Sequence, residues 1–128
     1  MLNVPTICAP VIGVVPRDHD FGDVPVGDRV TTTIIITNFD GCHLHVSDIR
    51  LSRSTDPCFS LRELPGLPLL VPSESSRQVD VEFCPTCGSC ASGIVEIESD
   101  DPVTPLSRVA LHGLGVGRGL KRQNKSLV

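Results

Sequence analysis

Tryptophan and tyrosine are absent from this 128-residue chain, and phenylalanine occurs only four times. Base stacking and aromatic sugar platforms have little to work with here, so neither a nucleic-acid nor a glycan surface is expected. A basic face is missing too. Net charge is −4; Arg118, Lys121, Arg122 and Lys125, with no acid among residues 118–128, make the tail +4 and leave −8 on the body. Nucleic-acid binding wants the reverse distribution. No apolar run approaches the roughly 20 residues of a membrane-spanning helix. The opening MLNVPTICAPVIGVV has no basic n-region and is broken by Pro5 and Pro10. That spoils a signal peptide, so a cytoplasmic or membrane-peripheral location is expected. No window spaces its apolar residues at i, i+3, i+4 and i+7, so almost no helix is expected. Gly-x-Ser-x-Gly, a phosphate-cradling glycine loop and His-Glu-x-x-His are all missing, so the chain is not expected to be an enzyme.

What remains is a strand-and-turn grammar. Hydrophobic residues make up 40%, and 11 prolines with 11 glycines fall mostly between apolar runs. The stretch Gln78–Pro102 sets the pattern. Val79, Val81 and Phe83 alternate with Asp80 and Glu82, and Val95 and Ile97 alternate with Glu96 and Glu98. Each run is a strand with one dry and one wet face, and CPTCGSC is the turn between them. Further strands are expected at Val11–Val15, at the β-branched run Arg29–Asn38, at His43–Ser52 and at Cys58–Leu61. A slip in alternation at Ser47-Asp48 suggests a bulge within the third of these. Phe21 and Val24 read as an extended segment, and Pro25-Val26-Gly27-Asp28 as a turn. Glu63–Ser76 reads as a long connection that touches the core through Leu69 and Val71. A last strand alternates Val109 and Leu111 with Arg108, Ala110 and His112. Seven strands with turns every 8 to 12 residues predict an all-β, seven-stranded antiparallel two-sheet β-sandwich over residues 1–117, followed by a basic tail, 118–128.

An ordered set of short motifs sharpens this. Phe21-Gly22-Asp23-Val24-Pro25-Val26-Gly27, Ile36-Thr37-Asn38, Val71-Pro72, Val81-Glu82-Phe83-Cys84-Pro85, Gly93, Ser99-Asp100-Asp101-Pro102 and Leu111-His112-Gly113-Leu114-Gly115 follow in sequence. The chain thereby resembles ASH/hydin-like immunoglobulin domains, met also as choice-of-anchor D repeats and related to major sperm protein. The resemblance covers about residues 10–117. It implies a non-enzymatic module that binds or spaces other proteins within a larger assembly. The cysteine-rich turn departs from that family's pattern.

In such a sandwich the loops alternate between two ends. The end holding Phe39–Cys42 should also hold Cys8, and the opposite end should hold Cys58, Cys84, Cys87 and Cys90. Pairing between the ends is excluded by reach, because a disulfide needs Cα atoms within about 7 Å. The lower four thiols permit a zinc site: Cys84-x2-Cys87 has knuckle spacing, and Cys90 with Cys58 would complete four thiolates. Disulfides of an extracellular adhesion or anchoring module, or plain free thiols, are the competing readings. His43 and His45, beside Cys42, share a strand face and could bind copper or zinc, but a solvated face accounts for them as well. The Asp100-Asp101 pair reads as a turn whose carboxylates bond nearby backbone N–H groups. The basic tail suits an acidic protein surface or an anionic membrane surface.

Overall fold

The computed structural model describes residues 8–117, so the basic tail and its expected contacts lie outside the described residues. Nine strands follow one another: β1 Ile12–Val15, β2 Asp18–Pro25, β3 Val30–Asn38, β4 Leu44–Leu51, β5 Phe59–Arg62, β6 Leu69–Val71, β7 Ser76–Phe83, β8 Cys90–Ser99 and β9 Leu106–Val116. They form a four-stranded sheet, β1-β3-β7-β5, and a five-stranded sheet, β2-β9-β8-β4-β6. No helix occurs among the described residues. The all-β sandwich is as expected.

The strand count is not seven but nine. Leu69–Val71 is a three-residue edge strand on β4, with Leu44 opposite Val71 and Val46 opposite Leu69. Asp18–Pro25 is the second addition. Its charges hide the alternation, and its strand form comes from backbone pairing with β9 rather than from side-chain pattern. That pairing is parallel, so the sandwich is not wholly antiparallel. The reason is local. β1 runs antiparallel to β3 until Pro16, which has no N–H to continue a ladder. The chain then crosses to the other sheet on the same heading, and β9 happens to run that way. Gly22, at φ 74°, sits where the β2–β9 register shifts, in a backbone region that L side chains rarely adopt.

The inner faces meet as the sequence pattern requires. Ile34, Ile36, Val79, Val81 and Phe83 come from one sheet; Leu44, Val46, Ile49, Val95, Ile97, Val109 and Leu111 come from the other, all fully or almost fully buried. The β4–β8 register shifts between Val46 and Asp48, which is the bulge expected there, and Ile49 returns inward after it. Toward the lower end, Phe59 stacks on Phe83 with centroids 4.9 Å apart, and Phe21 lies 5.4 Å from Phe83. Three of the four phenylalanines therefore form one buried or half-buried cluster. The fourth, Phe39, is elsewhere.

Candidate functional site

Phe39 follows β3 at the upper end and is 67% exposed. Its N–H donates to the Val11 carbonyl at 2.9 Å, so the β1–β3 pairing extends one residue past the strand ends. Ile12 and Val14 point inward, and Val11, Gly13 and Val15 therefore point out from the same sheet. The Phe39 ring lies across Gly13. A Cβ at that position would overlap the ring, with Cζ at 2.9 Å and Cδ2 at 3.0 Å. Val11 (43% exposed) and Val15 (57%) flank it, and half-buried Ile35 stands opposite Val15 on β3. The result is an apolar corner beside β1, an edge strand of its sheet.

Two buried polar side chains hold this corner in place. Asn38, fully buried, donates through Nδ2 to the carbonyls of Cys42 (2.5 Å) and Val71 (3.1 Å). Its Oδ1 accepts from the N–H groups of Val11 (3.4 Å) and Asp40 (3.1 Å). One side chain thus ties β1, β6 and the 39–42 turn together. Asp101 is 4% exposed. Its Oδ2 accepts the Ile12 N–H at 2.9 Å, and its Oδ1 accepts those of Val103 (2.8 Å) and Thr104 (3.0 Å). Burial alone would raise the Asp101 pKa, but the donors from Ile12, Thr104 and Val103 outweigh it and hold the carboxyl below its ordinary value. The local part of this, a turn around Asp-Asp-Pro, follows from sequence; the bond to Ile12, 89 residues away, does not. A disulfide between Cys8 and Cys42, Cα atoms 5.6 Å apart, closes the same end. That pair was expected to be neighbours, and it is.

The histidines nearby are arranged as structure. His45 Nδ1 lies 2.9 Å from Asp100 Oδ2, the His45 N–H donates to Asp100 Oδ1 at 2.8 Å, and the Asp100 N–H donates to the His45 carbonyl at 3.0 Å. With Cys42 held in the disulfide, it is not available to complete a metal site with His43 and His45. On the outer face of the other sheet, Arg50 bonds Asp48 (2.9 Å), Glu96 (3.0 Å) and Glu98 (3.1 Å). Asp48, Glu98 and Glu96 all favour its cation and raise its pKa. This is a solvated cross-strand ladder.

The lower end carries the other four cysteines, all free thiols. Cys58 precedes β5 and is half-buried against the core; Cys84 follows β7 and is half-buried; Cys87 and Cys90 are exposed. The Cys84 N–H donates to the Cys58 carbonyl at 2.9 Å. Cys90 opens β8 opposite Leu114, in the other sheet. The loop between is pinned: Gly27 donates to the Pro85 carbonyl at 3.0 Å, and Gly115 donates to the Ser89 carbonyl at 3.0 Å. Cys87 Sγ lies 3.1 Å from Ser89 Oγ. Topology thus brings Cys58, Cys84, Cys87 and Cys90 to one end. Among the described residues, however, no group of three or more His, Cys, Asp or Glu side chains is arranged to hold a metal ion.

The apolar corner is the feature that sequence pattern misses. Its only signal is a phenylalanine between Asn38 and Asp40, in a turn where polar residues are the rule.

Known structures share the fold. A protein of unknown function from Porphyromonas gingivalis W83 superposes with a TM-score of 0.69 at 16% identity, over 82% of this chain and 46% of that one. This chain therefore spans about half of its length. The ASH/PapD-like domain 7 of human CEP192 superposes at 0.65 with 14% identity, over 91% and 94% of the two chains. The VesB protease of Vibrio cholerae gives 0.60 at 16% identity, over 84% of this chain and 31% of that one. At such identities the likeness is one of fold. No curated protein sequence matches the chain. Residues 10–113 match a family described as HYDIN/CFA65/VesB-like, Ig-like domain. The chain belongs to the HYDIN/CFA65/VesB-like Ig-like domain family.

Proposed function

We propose that this domain is a non-enzymatic interaction module, an accessory or scaffolding part of a larger protein assembly, and that it meets a partner chain at the apolar corner beside β1. The observation that carries the reading is Phe39, two-thirds exposed across Gly13 between Val11 and Val15. Exposed large side chains are common singly, but a ring seated between two exposed valines at an open sheet edge is a contiguous apolar surface. An edge strand offers backbone groups to an extended segment of another protein, and the adjacent side chains supply the apolar contact. The family membership and the CEP192 likeness support the interaction class without naming the partner.

The test uses the full chain as bait in extract from its native source. Three baits are compared: wild type, Phe39→Ser with Val15→Lys, and Val103→Ser, which alters the exposed apolar residue of the neighbouring Asp101 turn. A specific protein retained by wild type and Val103→Ser but lost from the double variant is the expected result. Equal retention by all three, or none by wild type, refutes the assignment.

A further inference from the structure

Cys58 and Cys84 stand one residue beyond the ends of β5 and β7, whose register sets Phe59 opposite Phe83. The 2.9 Å bond from the Cys84 N–H to the Cys58 carbonyl carries that ladder one rung further, so the two cysteines face each other across adjacent strands. Opposed residues on a hydrogen-bonded antiparallel rung have Cα atoms about 5.5 Å apart. That is inside the disulfide range of about 4.4–6.8 Å. Cys87 lies three residues further along the same loop. Burial, above all, pushes the Cys58 thiol pKa up, and Asp56, Cys87 and Cys84 act in the same direction. Cys90 is held apart on β8.

We propose that this end of the sandwich is an oxidative modification site, in which Cys58 forms an intramolecular disulfide with one of the two thiols of Cys84-Pro-Thr-Cys87 while Cys90 stays free. The oxidant is a low-molecular-weight disulfide, RSSR. A thiolate of the Cys84–Cys87 segment attacks one sulfur of RSSR, and the S–S bond breaks to release RS⁻ and leave a mixed disulfide. The Cys58 thiolate then attacks the protein sulfur of that mixed disulfide and expels the second RS⁻. Two protein thiols lose two electrons and two protons, and one RSSR becomes two RSH. The exposed Cys87 reacts first in this order; Cys58, half-buried with a raised pKa, reacts second. The new bond fastens edge strand β5 to the end of β7, directly beside the Phe59–Phe83 stack.

The experiment treats the reduced full chain with oxidised glutathione, blocks the remaining thiols, digests with trypsin and maps the products by mass spectrometry. Cys58 falls in the peptide 54–62 and the other three thiols in 78–108, so the bond appears as one cross-linked pair of peptides. Expected is a loss of two alkylatable thiols from Cys58, Cys84, Cys87 and Cys90, with 54–62 linked to 78–108 and fragmentation placing the bond at Cys84 or Cys87. Cys90→Ser should keep the link and Cys58→Ser should abolish it. Should Cys58→Ser not fold, the wild-type map decides alone. A disulfide within 78–108, mixed glutathione adducts only, no loss of thiols, or a stoichiometric zinc equivalent that survives dialysis and blocks oxidation each overturns the proposal. None of these outcomes bears on the apolar corner at the other end.

Discussion

Asp101→Asn is the substitution in which one buried atom should matter most. The carboxylate serves three backbone donors, Ile12 at 2.9 Å through one oxygen and Val103 and Thr104 at 2.8 and 3.0 Å through the other. An amide keeps one acceptor. If its oxygen continues to serve the Val103–Thr104 turn, its NH₂ faces the Ile12 N–H, donor against donor. A buried donor left without a partner costs about 1–3 kcal/mol, and bonds to a charged acceptor are stronger than those to a neutral one. The expected loss is about 2–3 kcal/mol. For a domain of this size each kcal/mol moves Tm by about 3–5 °C, so the melting point should fall by about 6–15 °C. Acidity supplies an independent check. Because the folded-state pKa lies below the ordinary value, the carboxylate's contribution is complete above about pH 4. It is lost as pH falls through the folded-state pKa, so the gap between wild type and Asp101→Asn should close in acid. Urea unfolding of both proteins from neutral to acidic pH measures it. A variant within 0.5 kcal/mol of wild type at pH 7, or a gap that widens in acid, refutes the reasoning.

Two further expectations concern the same scaffold. Gly113→Ala should cost about 1–3 kcal/mol, because its Cβ would sit 2.5–2.9 Å from the Phe83 ring, which is fully buried and stacked on Phe59. Gly13→Ala meets a ring as well, but an exposed one that can swing aside; its unfolding free energy should stay near wild type while partner retention falls. Equal stability costs at the two glycines would sink this distinction. Replacing Cys8 and Cys42 together by serine removes a cross-link across 34 residues, for which chain-entropy reasoning gives about 3–4 kcal/mol. Urea unfolding of the double variant should show that loss, and a change under about 1 kcal/mol would assign the disulfide no stabilising role.

How far such features can be read from sequence depends on the distance over which their causes act. The strand at β3 is written in its own residues, a β-branched run whose alternate members Ile34 and Ile36 need a dry face. The bulge at Ser47-Asp48 is equally local, since one extra residue shifts the alternation. The division of cysteines between two ends follows from counting strand reversals. By contrast, β2 is charged and poorly alternating, and its partner β9 lies nearly 90 residues downstream. Asp101 announces its turn but not its bond to Ile12. The cysteine turn shows the same limit: CPTCGSC brings its thiols close in sequence, but Cys84 follows a strand of one sheet and Cys90 begins a strand of the other. Spacing fixes which thiols can meet, not which way their side chains point.

The bond from Ile12 to Asp101 also limits how a partner can use the β1 edge. Since Val11 pairs with Phe39 and Gly13 with Thr37, the outward-facing backbone groups of β1 belong to Ile12 and Val14. Asp101 already occupies the Ile12 N–H, and Pro16 ends the strand two residues after Val14. An added strand therefore finds few backbone bonds here, each worth only about 0.5–1.5 kcal/mol net. Most of the affinity must come instead from apolar area on Phe39, Val11 and Val15, and a buried aromatic anchor is where such interfaces concentrate their energy. Phe39→Ser alone should thus weaken partner retention more than Val14→Pro, provided the proline variant still folds.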